Sequence, residues 1–287
     1  MSIAITGATG QLGQKVIADL LAAGVPAGEI TAIARSEEKA AGLVANGVRL
    51  HVADYDHLET FAKAFSAGDR VLLISGTDVG RRTAQHAAVI DAARAAGVEQ
   101  LAYVGVFGGP KAEFLLAGDH QATERFILDS GLPYTFLRNN WYSEMYLTDL
   151  PGIIERGAIA NSIAPGARIA TATRDDYAAA AAVVMREDGH LNTAYELSGD
   201  RAWSQEEFAA ELSRQVGKEI VYTSVTAAEH KAILTGAGVP DAFADVLVDV
   251  DAAISRGLLA GTPGDLSRLI GRPTTPIADT IATATTS

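Results

Sequence analysis

Three glycines near the start of the chain, at positions 7, 10 and 13, have the spacing of a nucleotide-binding loop. They lie in MSIAITGATGQLGQ, after a short apolar run and before a helix-like stretch. Gly7 allows a tight turn, Gly10 lets the backbone approach a pyrophosphate, and Gly13 lets the helix pack closely on the strand. Free N–H groups at the start of that helix then hold the phosphate. The cofactor-binding residues predicted in this loop are Gly7, Ala8, Thr9, Gly10, Gln11, Leu12 and Gly13.

The residue that ends the second predicted strand indicates which dinucleotide binds. An NAD site usually carries Asp or Glu there, about 20 residues beyond the glycine loop, to hold the adenosine ribose. This chain has Arg35 instead, in AIARSEEK. A guanidinium forms bidentate bonds to phosphate, so Arg35 suits a 2′-phosphate, and the alternative is a solvated surface arginine. The sequence therefore predicts NADP(H) as the cofactor.

Further cofactor contacts are expected where the third and fourth strands end, because ligands of open α/β sheets lie beyond the carboxyl ends of the strands. Asp54 in VADY is expected to face the adenine. Ser75 and Gly76 are small enough for the chain to pass the pyrophosphate and ribose. The chain has no cysteine, and its six histidines lack ligand spacing, so no metal site is expected.

The elements that must position these residues alternate through the first half of the chain. Short β-rich runs and longer helical stretches follow each other, which indicates βαβ units and a parallel sheet. The predicted strands are 2–7, 29–35, 48–55, 69–75, 99–107 and 133–139, and the predicted helices are 11–24, 36–46, 57–67, 82–96 and 119–130. The expected fold class is α/β, a doubly wound parallel sheet of the NAD(P)-binding Rossmann type.

Helical stretches dominate beyond about residue 140. The predicted helices there are 142–156, 174–187, 204–217 and 226–256, with short strands near 168–171, 194–198 and 219–223. We expect a dinucleotide-binding Rossmann domain at 1–140. The smaller C-terminal α/β portion at 141–287 is expected to bind substrate, with some segments returning to the Rossmann sheet.

Charge and composition exclude several other classes of function. The formal net charge of −12 and the lack of a basic patch argue against nucleic-acid binding. No apolar run approaches the roughly 20 residues of a membrane span. The absence of cysteine and of a signal peptide predicts a cytoplasmic protein. Whether the chain forms a homo-oligomer is left open.

Several motifs together resemble the NmrA-like group of atypical short-chain dehydrogenase/reductases. They are GATGQLG, Arg35, LISG and YTFLRNNWYSEMY, and the likeness continues through TRDDYAAAAA, YELSGD and LSRLIGRPTTP. Within that group the chain is most similar to the flavin-free, zinc-independent bacterial NADPH-dependent quinone oxidoreductases and to triphenylmethane dye reductases. The resemblance implies NADP(H), no flavin, no metal and a quinone-like small-molecule substrate.

The proton-donating dyad of typical short-chain dehydrogenases, Tyr-x-x-x-Lys, is missing. None of the eight tyrosines has a lysine four residues on. Glu124 matches a glutamate that in extended relatives follows the lysine by four, which puts His120 at the lysine position and Leu116 at the tyrosine position. Hydride reduction of a ketone leaves an alkoxide that needs an acid. A quinone gives a delocalised hydroquinone monoanion, and a cationic dye needs no proton, so the absence favours such acceptors.

Two residues are candidates for a catalytic role. His120 can bond the ribose or the reduced oxygen, and the alternative is a helix-surface histidine. Tyr103, in LAYVGVF, is expected to end the fifth strand and face the same region, with packing as the alternative.

In relatives the stretch after the sixth strand wraps the nicotinamide end of the cofactor. The resemblance therefore implies cofactor-binding roles for Asn139, Asn140, Trp141, Tyr142, Ser143 and Glu144. Trp141 and Tyr142 can stack on a flat acceptor, and core packing is the alternative for Trp141. Arg174 is expected to reach the cleft, although its neighbours Asp175 and Asp176 equally suggest a helix cap.

These features predict an NADPH-dependent reductase that passes hydride directly to a quinone or a similar flat electrophilic acceptor. The alternative is an NADP(H)-binding redox sensor of the NmrA type without turnover, which the missing dyad also fits. An isoflavone-reductase-like enzyme is disfavoured, because it would want a lysine at the position of His120.

Overall fold

A computed structural model describes residues 2–78 and 80–286. Its strands are β1 (Ile3–Thr6), β2 (Ile30–Ala34), β3 (Arg49–Val52), β4 (Arg70–Ile74), β5 (Gln100–Val106), β6 (Tyr134–Asn139), β7 (Ala158–Asn161), β8 (Arg168–Ile169), β9 (Thr193–Leu197), β10 (Trp203–Ser204) and β11 (Val221–Ser224). Its α-helices are α1 (Gln11–Ala22), α2 (Glu37–Ala45), α3 (Arg82–Ala96), α4 (Ala117–Ser130), α5 (Leu150–Arg156), α6 (Arg174–Arg186), α7 (Gln205–Val216), α8 (Ala227–Gly236), α9 (Asp241–Ser255), α10 (Asp265–Ile270) and α11 (Ile277–Thr286).

The central sheet has seven strands in the order β3-β2-β1-β4-β5-β6-β9. Every neighbouring pair from β3 to β6 is parallel. The chain runs outward from β1 to β3 and then returns to β4 beside β1, so the direction of winding reverses between β1 and β4. This reversal is where open α/β sheets bind their ligands. The predicted α/β fold, a doubly wound and mostly parallel sheet of the Rossmann type, is confirmed.

The hydroxyl of Thr6 joins β1 to β4 at that reversal. It accepts a hydrogen bond from the Ile74 N–H at 3.1 Å and lies 3.5 Å from the Leu72 carbonyl oxygen, to which it donates. Thr6 is the last residue of β1 and is 1% exposed. The glycine loop and the end of β4 are therefore held side by side.

Buried apolar residues fill one face of the sheet. Alternate residues of a strand point to the same face, and β4 contributes Val71 and Leu73 to a cluster with Leu101 and Tyr103 of β5. Residues of α3 and α4 cover this layer, among them Val89, Ile90, Ala93 and Ile127. On α1 and α6, which pack against each other, small residues such as Ala178 and Ala181 are buried. Close packing accounts for the alanine run in α6.

The chain divides into two compact units. The first consists of the residues up to Pro110 together with Gly118–Asn139 and Arg174–Glu196. The second consists of Lys111–Ala117, Asn140–Thr173 and the residues from Leu197 onward. Helix α6 and nearly all of β9 therefore belong to the first unit.

The second unit has two small sheets and most of the C-terminal helices. Strands β7 and β11 pair in parallel, and β8 and β10 pair antiparallel. The ring of Trp203 stacks on Phe208 with centroids 5.4 Å apart, and its indole N–H donates to the Thr171 hydroxyl at 2.9 Å. None of the helices in residues 2–78 and 80–286 has the length and apolar character needed to cross a membrane.

Some predicted elements were wrong in extent or type. The helix predicted at 226–256 is two helices, because Gly238, with φ of +86°, and Pro240 interrupt it. The helix predicted at 142–156 is a 3₁₀ turn at Ser143–Leu147 followed by α5. The stretch predicted as helix 57–67 forms a 3₁₀ helix at Leu58–Lys63.

Candidate active site

The glycine loop follows β1 and opens α1, and each of its glycines has a separate reason to be glycine. Gly7 has φ of +62°, in the left-handed region that side chains rarely adopt. A Cβ at Gly13 would lie under 3.0 Å from the Gly7 oxygen and the Ala8 Cα, both backbone atoms. A Cβ at Gly10 would lie 3.2 Å from the Gly7 oxygen. The turn and the close packing predicted from the spacing are therefore present.

The start of α1 offers unpaired backbone donors. Gly10 is the N-cap residue, no side chain caps the helix, and its first turn has no acidic residue. The first N–H groups of an α-helix have no partner within the helix, so they attract an anion. Gly7, Gly10 and Gln11 are exposed and Thr9 is half-buried, whereas Ala8, Leu12 and Gly13 are buried. The loop thus fits a bound phosphate in both shape and polarity.

Arg35 is exposed and directly follows β2, two strands away from β4. Within residues 2–78 and 80–286 its guanidinium makes no ion pair or hydrogen bond. Ser36 caps the next helix, accepting a bond from the Lys39 N–H at 3.4 Å. An arginine side chain without an ion pair or hydrogen bond in the described part of the chain is available to a phosphate.

The predicted contacts at the ends of β3 and β4 differ in character. The Asp54 carboxylate accepts a hydrogen bond from the Asp56 N–H at 3.1 Å, so it stabilises its own turn. Ser75 and Gly76 directly follow β4 and are half-buried. The position of Gly76 next to β1 keeps it beside the glycine loop.

Tyr103 is a buried mid-strand residue, which corrects the expectation that it ends the fifth strand. Three residues of β5 follow it, and its side chain is 0% exposed. Its hydroxyl shares a hydrogen bond with Nδ1 of His120 at 2.7 Å. His120 is 7% exposed, so it is no surface histidine. The structure therefore brings the two catalytic candidates together inside the protein.

Both members of this pair are neutral near neutral pH. Burial, with a smaller contribution from the charge of Arg82, lowers the pKa of His120 to about 3. Burial also raises the pKa of the Tyr103 phenol well above its ordinary value. An imidazole in this state cannot act as the cationic acid that a lysine would be. Since Nδ1 bonds Tyr103, only Nε2 remains for another partner.

A buried histidine that the sequence did not single out lies beside this pair. His86 on α3 is 0% exposed, and its ring lies edge-on to Tyr103 with centroids 5.6 Å apart. Its Nε2 accepts a hydrogen bond from the Gly76 N–H at 3.0 Å, and its Nδ1 lies 2.9 Å from the Thr123 hydroxyl. His86 lies on a helix between Gln85 and Ala87, a context without a functional pattern, so only the fold reveals it.

An aspartate on α4 binds the first turn of α3 and the residues just before it. The Asp119 carboxylate accepts bonds from the Gly80 N–H at 3.0 Å, the Arg82 Nε–H at 3.0 Å and the Thr83 hydroxyl at 3.2 Å. Burial alone would raise the pKa of Asp119, but the Gly80 bond and the Arg82 charge hold it below its ordinary value. A permanent ion pair therefore lies next to the two neutral histidines.

The two asparagines where β6 ends, Asn139 and Asn140, differ in whether their side-chain amides have partners. Asn139 is 6% exposed, and its side-chain oxygen Oδ1 has no hydrogen-bond partner in the described part of the chain. Asn140 uses both amide atoms internally, donating to the Leu259 carbonyl at 2.9 Å and accepting from the Trp141 N–H at 2.7 Å. A buried amide oxygen without a partner is unfavourable unless a ligand or water supplies one. Asn139 therefore fits a cofactor amide, whereas the Asn140 amide is already engaged.

The remaining predicted residues contact other parts of the protein or are half-buried. The Ser143 hydroxyl donates to Thr171 at 2.8 Å, and Tyr142 forms a bridge with Ala172. Trp141 and Glu144 are half-buried. Arg174 is the first residue of α6 and half-buried, and the Asp175 that follows pairs with Lys15 at 2.6 Å. Cofactor contacts of these residues stay predictions.

A serine, a histidine and an aspartate meet in the second unit without forming a hydrolytic triad. The Ser162 hydroxyl and an Asp251 carboxylate oxygen both lie at Nδ1 of His230, at 3.3 and 2.8 Å. A triad needs the serine and the acid on opposite ring nitrogens. These residues instead join the end of β7 to α8 and α9. Groups of three or more potential metal ligands do not occur among residues 2–78 and 80–286.

The sheet order, the glycine loop and the uncapped α1 define a Rossmann-type nucleotide-binding protein. Comparison with protein families agrees, because the chain belongs to the NAD(P)H-binding family, which matches residues 7–186.

The most informative relatives are bacterial reductases. The chain is 45% identical to quinone oxidoreductase 2 of Escherichia coli (strain K12) over 280 residues, which is 98% of this chain and 97% of that protein. The E. coli NADPH-dependent quinone oxidoreductase complexed with NADPH has the same fold, with a TM-score of 0.94, 45% identity and coverage of 98% and 99% of the two chains. Citrobacter sp. triphenylmethane reductase complexed with NADP(H) gives a TM-score of 0.94, 41% identity and coverage of 99% and 100%. The expected resemblance to both groups is confirmed.

Proposed function

We propose that this chain is an NADPH-dependent reductase that transfers hydride directly to a quinone or a similar flat electrophilic acceptor. The observation that carries the proposal is the 45% identity to E. coli quinone oxidoreductase 2 over 98% of the chain. The uncapped start of α1 supports a bound nucleotide, and Arg35, which makes no ion pair among the described residues, supports NADPH.

The residues of this chain bind and orient the reactants. The exposed backbone at Gly7 and Gly10 and the first turn of α1 hold the pyrophosphate, and Arg35 holds the 2′-phosphate. Asn139 supplies its unpaired Oδ1 to the carboxamide of the nicotinamide. NADPH, when bound, supplies the hydride. Rate enhancement then comes mainly from holding two flat rings at reacting distance.

The buried Tyr103–His120 pair determines whether a cationic acid is available to protonate the reduced acceptor. Because the pKa of His120 is lowered to about 3 by burial, the ring carries no positive charge at neutral pH. We propose that His120 acts as a neutral hydrogen-bonding group through Nε2, toward the ribose or the acceptor. A hydroquinone monoanion is a weak enough base for water to protonate, so this arrangement suits a quinone better than a ketone.

The test is an oxidation assay with purified protein. The protein is mixed with NADPH and a soluble benzoquinone, and the loss of NADPH absorbance is followed against a mixture without protein. We expect protein-dependent oxidation that saturates with both reactants. Tight binding of NADPH without oxidation, across several quinones and a cationic triphenylmethane dye, would contradict the proposal and favour a nucleotide-binding regulator.

Cofactor preference is tested at Arg35. The change Arg35→Ala removes a charged bond, so KM for NADPH should rise roughly ten- to a hundredfold while KM for NADH changes little. The matched control is Arg94→Ala, at an exposed arginine in the last turn of α3. Equal losses with the two nucleotides would rule out the phosphate assignment.

A further inference from the structure

We propose that His86 is a positioning residue for the nucleotide site, because it fixes the Gly76 peptide against which NADP(H) lies. The proposal rests on the proposed function in one respect, namely that the nucleotide bound is NADP(H). His86 does not touch the reacting atoms in this view; it acts through Gly76.

The backbone of Gly76 is held at both its donor and its acceptor, which belong to the peptide groups on its two sides. Its N–H donates to Nε2 of His86 at 3.0 Å, and its carbonyl oxygen accepts from Nη1 of Arg82 at 3.4 Å. Both holding side chains are buried, His86 at 0% and Arg82 at 4% exposure, and both belong to α3. Gly76 itself is half-buried at the end of β4. The peptide groups on both sides of Gly76 are therefore held from the protein interior.

The partners of His86 determine its tautomer. A backbone N–H can only donate, so Nε2 is the acceptor and Nδ1 carries the proton. Nδ1 donates to the Thr123 hydroxyl at 2.9 Å, which donates in turn to the Asp119 carbonyl oxygen at 2.8 Å. Burial, reinforced by the charge of Arg82, lowers the pKa of His86 to about 4. The lone pair that Gly76 needs is thus present at neutral pH.

The presence of glycine at position 76 points to a ligand. Among residues 2–78 and 80–286, a Cβ there would meet nothing nearer than the Gln85 side-chain oxygen at 3.5 Å, an ordinary contact, and Gly76 is not among the glycines with positive φ. Neither packing nor backbone conformation requires glycine at this position. The residue does lie where the winding of the sheet reverses, next to the glycine loop. A molecule passing close over the Gly76 backbone explains the missing side chain.

The experiment compares two substitutions that differ only in hydrogen bonding. His86→Gln keeps an acceptor for the Gly76 N–H, whereas His86→Leu removes it. We expect the Kd for NADPH, measured by fluorescence titration, to rise about tenfold in the leucine variant and to stay within about threefold in the glutamine variant. The kcat at saturating NADPH should change little in either variant. Gln85→Leu is the matched control, since Gln85 is next to Gly76 without bonding it.

A purely structural role predicts a different result. His86→Leu would then lower the melting temperature without changing the Kd for NADPH, and this outcome would overturn the proposal. Equal weakening of NADPH binding in both His86 variants would also overturn it. A wild-type protein that binds NADPH but reduces no quinone would contradict the proposed function alone, because His86 is judged by binding.

A second pair of substitutions serves if His86→Leu does not fold. Thr123→Val removes the acceptor that fixes the Nδ1–H tautomer, and Thr123→Ser keeps it. We expect NADPH binding to weaken severalfold in the valine variant only. Unchanged binding in Thr123→Val would overturn the inference that this hydrogen-bond chain positions Gly76.

Discussion

The loops that follow β4 and β5 are both anchored to α4, but by different chemistry. After β4, the Gly76 peptide is held by the neutral ring of His86, which bonds Thr123 of α4. After β5, the Gly108 N–H donates to Glu196 at 2.7 Å. Arg138 joins that carboxylate to Glu124 of α4, with bonds of 2.9 Å to Glu196 and two of 2.8 Å to Glu124. We call the His86–Thr123 contact the neutral anchor and the Glu196–Arg138–Glu124 contact the ionic anchor.

The glycines of the two loops show what this difference means. A Cβ at Gly109 would lie under 3.0 Å from the guanidinium of Arg138, and Gly109 has φ of +47°. The protein itself therefore requires glycine at 109. A Cβ at Gly76 would meet no such close contact among the described residues, which is why we propose that a ligand accounts for this glycine. The ionic anchor fixes a loop for the fold, and we propose that the neutral anchor presents a backbone segment to the nucleotide.

The largest expected effect comes from breaking the ionic anchor. Arg138→Leu leaves the carboxylate of Glu124, which is 4% exposed, without its charge partner. Loss of one partner of a buried ion pair typically costs about 3–5 kcal/mol in the free energy of unfolding. Urea denaturation measures this loss.

An exposed pair provides the control for that measurement. Arg94 pairs with Asp91 on the surface of α3, with both side chains more than half exposed. Arg94→Leu should cost less than about 1 kcal/mol. If the two arginine variants lost equal stability, the ionic anchor would not be what holds the loop after β5.

The next effect is a pH dependence that belongs to the neutral anchor. The pKa of His86 is about 4 in the folded protein, lowered by burial and then by Arg82, and about 6.5 in an unfolded chain. The unfolded state therefore binds the proton first as the pH falls. The stability contributed by neutral His86 should be complete above about pH 6.5. The free energy of unfolding should then fall by on the order of 3 kcal/mol between about pH 6.5 and pH 4. His120, with its pKa at about 3, acts in the same direction.

Urea denaturation across this pH range isolates the share of His86. The slope of stability against pH should be shallower in His86→Gln than in the wild type, while His120 maintains part of it. Arg138→Leu removes no imidazole, so its slope should match that of the wild type. A His86→Gln slope identical to the wild type would mean that the neutral state of His86 contributes no acid sensitivity.

The smallest effect separates the two glycines. Gly109→Ala must displace the pinned Arg138 side chain and adopt a positive φ, so we expect a loss of about 1–3 kcal/mol in unfolding free energy. Gly76→Ala should change stability by less than about 0.5 kcal/mol but weaken NADPH binding. Thermal unfolding and NADPH titration of both variants check this. A Gly76→Ala variant with normal NADPH affinity would remove the reason for treating the loop after β4 as a nucleotide surface.

Local spacing carried most of the correct predictions. The alternation of strands and helices predicts the doubly wound sheet because burial on both faces demands apolar strands separated by helices. The triplet of Gly7, Gly10 and Gly13 predicts the turn and the close packing, since both depend on neighbours within one βα unit. Arg35 could be located because the end of a strand is readable from its pattern. The extents of the helices were less predictable where Pro240 and Gly238 divided them.

The contacts between residues distant in the chain could not be predicted from the sequence. Tyr103 and His120 are 17 residues apart, and His86 and Thr123 are 37 residues apart, so no local pattern connects them. The low pKa values of both histidines result from burial, which exists only once α3 and α4 cover the sheet. The sequence by itself determined the turn and the close packing of the glycine loop at the start of α1, because both depend on adjacent residues. The tertiary structure alone decided which groups are neutral and which peptide is fixed, because desolvation and hydrogen bonding between distant segments arise only on folding.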